Sequence, residues 1–202
     1  QPESQGRLKL YYNWRPQVVV DFHEMGRDRT YFFQPGIPSR NNPNTPENVF
    51  NLTNKLATYH AEALNSIGVL YYSKERFDDF YYGKGSTFPD VTGAVGILFE
   101  QASSRGLATS TTSGELSYTF SIKNHFNASL GTLEGMWEMR DEFLEHQRNF
   151  YRDASKAAIQ FPTKAYLIST EYKKTQVRLL LNNLSQHQVK LHSLKKPYAA
   201  NN

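Results

Sequence analysis

VVVDFHEMGRDRTYFFQPG, residues 18 to 36, is the stretch on which the reading of the rest depends. A run of strand-forming residues stops abruptly on an acid, a histidine and then a glycine. Side chains alternate along a strand, so Val18, Val20 and Phe22 share one face and Val19, Asp21 and His23 the other. A near-continuous apolar run of this kind predicts a strand covered on both faces, and in such α/β sheets ligands sit just beyond the carboxyl ends of the strands. His23 stands at such an end. A neutral imidazole there can bind a metal, with Asp21 orienting it. An Asp-x-His pair by itself is equally a structural pair, so further residues are needed to choose.

GAVGILFEQASSRG, residues 93 to 106, repeats the design: an apolar strand ending on a carboxylate, Glu100. Burial raises a carboxyl pKa toward neutrality and a strand holds it rigidly, which suits a general base. Taken alone, Glu100 is also readable as the first polar residue after the core.

The two stretches together, DFHEMG and then ILFEQ 77 residues beyond His23, with FDDFYYGKGST between, resemble the zinc carboxypeptidases of the carboxypeptidase A type. The likeness covers the second half of that catalytic domain. It implies His23 as a zinc ligand and Glu100 as the general base. It also implies that Tyr81 or Tyr82, in the loop before the glutamate's strand, contacts substrate. Arg105, five residues past Glu100, is close enough in sequence to line the same cleft and bind substrate. The implied reaction is hydrolysis of a C-terminal peptide bond by a metal-activated water. Two other readings stand beside it: a zinc-dependent deacylase of N-acyl amino acids, and a non-catalytic binding module on the same scaffold.

Catalytic zinc takes about three protein ligands, and the family supplies the other two as a His-x-x-Glu pair. No histidine in this chain has an acid three residues on. The expectation is therefore the back half of a carboxypeptidase cut from a longer parent, inactive alone and binding zinc weakly or not at all. Its sheet would lack strands, leaving an exposed edge open to self-association. The family's habits point to a periplasmic or secreted parent.

Composition narrows the alternatives. The 202 residues suffice for a sizeable core, and net charge is +4 with the Lys and Arg residues mostly dispersed, which gives no footprint for nucleic acid. The absence of cysteine excludes disulfides, thiolate metal sites and cysteine nucleophiles. No apolar run approaches the roughly 20 residues of a membrane span.

The remaining segments read as scaffold. Residues 1 to 7 are polar, an expected exposed lead-in, and 8 to 16 are helix or loop ended by Pro16. Thr45 and Pro46 read as the start of a helix closed by Gly68, with His60 on its apolar stripe as a core histidine. Residues 69 to 72 form a short strand. In 73 to 90 the mixture of polar, aromatic and glycine residues indicates a functional loop, with Asp78 and Asp79 solvated. One long helix is expected over 121 to 158, where Gly131 and Gly135 kink it or let it pack closely. Pro162 then precedes a strand-helix-strand unit, and the tail from Lys195 is expected to be disordered. The predicted architecture is α/β: a partial mixed-sheet carboxypeptidase-like sandwich with covering helices over residues 1–160, and a small extension over 161–202.

Overall fold

The computed structural model describes residues 2–196. In chain order its elements are α1 (Pro2–Trp14), β1 (Val18–Met25), β2 (Tyr31–Phe33), α2 (Glu47–Asn65), β3 (Tyr71–Tyr72), β4 (Val95–Ala102), β5 (Ala108–Thr111), β6 (Gly114–Ser117), α3 (Tyr118–Glu138), α4 (Arg140–Gln160) and α5 (Lys174–Gln186). They divide into two compact units, Pro16–Ala157 and a smaller one of Gln1–Arg15 with Ala158–Asn202. The division follows the contacts of α1, which is grouped with the C-terminal residues.

The larger unit is mixed α/β. Its main sheet has the order β1-β4-β2-β3, with β1 parallel to β4, β2 antiparallel to β4 and β3 parallel to β2. All eight residues of β4 are buried, as its VGILFEQA sequence demands. One face of the sheet presents Val18, Val95, Ile97 and Phe99 to Val49, Leu52, Leu56 and Leu64 of α2 and to Ala128 of α3. Phe22 joins this face, its ring 5.2 Å from that of Phe99. The opposite face carries Asp21, His23, Leu98, Glu100 and Phe32, the last stacked at 4.4 Å on Phe77. β1, expected to be covered on both faces, is an edge strand whose final turns are open, because only β4 pairs with it.

Other expectations are corrected in detail. The helix expected from 121 to 158 starts at Tyr118, capped by Ser117 Oγ accepting from the Phe120 N–H at 3.2 Å, and breaks at Met139 into α3 and α4. Gly131 and Gly135 provide close packing: a Cβ at 131 would stand 2.7 Å from the Tyr59 carbonyl oxygen of α2. Thr45 does not cap α2, whose N-cap position is Pro46, and the Thr45 hydroxyl is buried. Gly68 closes that helix as predicted, with φ +70°. His60 is a core residue, fully buried, sharing a 3.0 Å hydrogen bond with the Thr132 hydroxyl.

In the smaller unit the lead-in 2 to 7 is the exposed first part of α1. The expected strand-helix-strand unit has its helix, α5, and no strand on either side among the described residues. An extended segment becomes a strand only when it finds an edge to pair with, and none pairs here. Neither α1 nor α5 has a fully buried residue; Tyr12 Oη lies 3.1 Å from His187 Nδ1 between them. Of the expected disordered tail, residues 197 to 202 lie outside the described residues. Among the described residues no helix is long and apolar enough to cross a membrane.

Candidate functional site

The parallel pairing of β1 with β4 sets His23 directly beside Glu100. Partners in register point to the same face, so the imidazole of one strand end and the carboxyl of the next are neighbours on the face away from the helices. Asp21, two residues back, is on that face too, and its Oδ2 lies 3.0 Å from His23 Nε2. The Asp-x-His reading of the sequence thus becomes a contact. It holds the ring by Nε2 and leaves Nδ1 without a hydrogen bond among the described residues.

Burial holds the Glu100 carboxyl above its usual range; the His23 ring pulls it down, the Asp21 charge pushes it up and the Lys84 ammonium pulls it down. Desolvation wins because Glu100 lies within a strand with no exposed residue, in register with the fully buried Phe32 of β2. A carboxylate raised in this way is a better proton acceptor near neutral pH than a solvated one.

The strand end carrying His23 is also held from behind. His125 of α3 packs behind it, and its Nδ1 lies 3.0 Å from the Tyr31 hydroxyl. Burial pushes the Tyr31 phenol up, so it keeps its proton and donates to Nδ1. Nε2 of His125 is then the protonated nitrogen. The Phe22 ring meets His125 edge-on at 5.0 Å, closing the arrangement.

A loop covers the other side. A Cβ on Gly85 would lie 2.6 Å from Asp21 Oδ2, so residue 85 is glycine for a reason of space. Lys84 binds Asp78 Oδ1 at 2.8 Å and the Asp78 carbonyl at 3.1 Å, which holds the Asp78 carboxyl below its usual range. Between these anchors Tyr81 and Tyr82 stand exposed, 64% and 57%, with rings 6.2 Å apart. They are on the covering loop, and neither contacts His23 or Glu100. Arg105 follows β4 at positive φ, 48°, with its N–H donating to Ser103 Oγ at 3.3 Å. It is not among the charges acting on Glu100.

Asp79, expected in solvent, is buried: Thr87 Oγ1 donates to its Oδ1 at 2.5 Å, and its charge bears on the buried Asp90 carboxyl. Adjacent acids read alike in sequence, whereas here the chain turns one outward and one inward. Lys84, Gly85 and His125 escaped the sequence reading. Lys84 and Gly85 carried a signal in their position within the GKG of the loop; His125 had none, since its role depends on α3 lying over β1.

Zinc, which the resemblance implies, finds one fitting donor. A histidine oriented by a carboxylate through one nitrogen and open at the other has the arrangement of a metal ligand. Among the described residues no three His, Asp or Glu side chains converge as a metal site. Compared with known proteins, the chain matches no family model, no curated protein and no solved structure. What the site can do is therefore argued from its own geometry.

Proposed function

We propose that the larger unit carries part of the active site of a zinc-dependent hydrolase of the carboxypeptidase type, acting on the C-terminal bond of a peptide. The observation that supports this most is the lateral pairing of His23 and Glu100 at the carboxyl ends of two parallel strands, with Asp21 on the far side of the imidazole. A structural Asp-His pair alone would not call for a buried carboxylate beside it.

His23 is the metal ligand in this reading, through Nδ1, with Asp21 fixing the ring. Bound zinc would lower the pKa of a water to about 7 and polarise the scissile carbonyl. Glu100 accepts the proton of the attacking water and returns it to the leaving amine, for which its raised proton affinity suits it. Tyr81 or Tyr82 closes over the substrate from the loop anchored by Lys84 and Gly85, and Arg105 would approach substrate only by moving from its present place. Further polypeptide bearing two more ligands is required, and the open edge of β1, next to His23, offers it a place to dock. The same edge allows pairing with a second copy.

Two experiments test the reading. In this chain alone, a zinc titration followed by histidine ring NMR should perturb His23 first, at micromolar to millimolar zinc, and His23→Ala should abolish the response; a response centred on another histidine sinks the ligand assignment. In the polypeptide that naturally contains the chain, Glu100→Gln should lower kcat at least about a thousandfold with KM little changed. Blocked dipeptides and N-acyl amino acids assayed in parallel separate peptidase from deacylase, and turnover of neither points to a binding module.

A further inference from the structure

The loop over the site is anchored at its base by two acids that solvent barely reaches. Asp90 is fully buried and Asp79 is 6% exposed. Asp90 Oδ1 accepts from the Gly96 N–H of β4 at 2.7 Å. Asp79 is tied on three sides: Thr87 Oγ1 to its Oδ1, its own N–H to the Arg40 carbonyl at 3.0 Å, and its carbonyl to the Asn42 N–H at 2.8 Å. Thr87 joins the two acids, its hydroxyl donating to Asp79 and its carbonyl accepting from the Asp90 N–H at 3.2 Å; the Asp79 charge bears on the Asp90 carboxyl, whose buried Oδ2 has no donor around it. Two ionised carboxylates cannot satisfy each other. One proton between them satisfies both, and it also removes a buried like-charge repulsion.

We propose that Asp79 and Asp90 share a proton and act as positioning residues, a latch that holds the loop 78–90 against β4 and so keeps Lys84 near Glu100 and Gly85 on Asp21. The latch spans the loop: Asp79 sits at its start, Asp90 at its end, and Gly96 is where the loop's Ser86 carbonyl meets β4 so closely that no Cβ fits. Burial, then the charge of Asp79, raises the Asp90 carboxyl well above the usual range, which agrees with a retained proton.

The surroundings offer nothing else to hold the balance. The neighbouring charges of the loop, Asp78 and Lys84, are paired with each other. Glu100 is the only charged residue of β4, and Asp79 is the one charged group bearing on Asp90 among the described residues. Since folding raises the affinity for this proton, the stabilisation is whole below the unfolded aspartate value of about 3.9 and is lost as pH rises through the higher folded value. Above it the proton leaves to solvent, two charges face each other in the interior, and the loop lets go.

Neither zinc nor turnover is needed for the test, so its outcome is independent of the proposed hydrolase function. In the isotope-labelled chain, the Asp90 carboxyl carbon should titrate far above the normal range of aspartate. Amide exchange corrected for the intrinsic rate should show Gly96 and residues 84 to 88 losing at least about tenfold protection as that titration completes, one pH unit of linkage being a factor of ten. Asp90→Asn, whose amide can donate to Asp79 at every pH, should keep the protection and abolish its pH dependence. Asp79→Ala should show low protection throughout. An Asp90 carbon titrating near 4, or an Asp90→Asn profile that falls in parallel with the wild type, overturns the latch. Should a variant fail to fold, the wild-type carbon titration decides alone.

Discussion

β1 and β4 are written in nearly the same way, VVVDFHEM and VGILFEQA, yet one is an edge and the other the buried centre of the sheet. Every side chain of β4 is covered, down to Glu100. On β1 only Val18 is, and Phe22 is 44% exposed. The pair teaches that a site can be made where a central strand and an edge strand end together: the first supplies a desolvated carboxyl, the second an imidazole that a ligand can still reach. The polar residues near the two ends look alike in sequence and differ in solvation, which is what separates a raised carboxylate from an accessible imidazole.

The largest expected effect tests the burial contrast. Phe99→Ala, emptying a fully buried site, should cost about 3–5 kcal/mol in denaturant unfolding. Phe22→Ala, across the strand pair, should cost roughly 1 kcal/mol because about half of the ring is already in water. Equal losses would break the comparison.

Next comes the layer behind β4. His60, whose ring meets Phe99 edge-on at 4.8 Å, is pushed down to about 3 by burial. A depressed folded value means stability present above the unfolded histidine value of 6.5 and lost as pH falls toward 3. The loss should reach on the order of 4 kcal/mol across that window. His60→Gln should flatten this slope in unfolding midpoints measured from pH 7 to pH 4; an unchanged slope assigns the acid sensitivity elsewhere.

Glu100→Gln sharpens the contrast at the site itself. Glu100 has a raised folded value, so its ionisation costs stability at neutral pH, and the glutamine variant should be equal to the wild type or more stable there, with no gain at pH 4. A loss at neutral pH would mean that the carboxylate is a structural anchor. The smallest effect belongs to the edge: His23→Ala, half-exposed, should change stability by no more than about 0.5 kcal/mol by the same measurement.

Much of this was legible beforehand. The alternation around Asp21 and His23, the stripe placing His60 in the core and the close of α2 at Gly68 all follow from local periods and turn chemistry, and they recur in the structure; the buried strand expected to end at Glu100 runs on to Ala102, because Gln101 and Ala102 stay paired with β1. The break at Met139 was missed because the apolar stripe of α3 continues into α4. Strands on both sides of α5 were expected because extended segments of alternating character look like strands until a pairing partner is found wanting.

Sequence alone determined which residues of each strand share a face, since side-chain direction along a strand or helix is set by backbone period. Tertiary structure decided which strands are neighbours, and with that the meeting of His23 with Glu100, the burial of Asp79 against Thr87, and the packing of His125 from α3 on Phe22 and Tyr31. Those contacts join residues far apart in the chain, and the burial that sets their proton affinities exists only after the layers have packed.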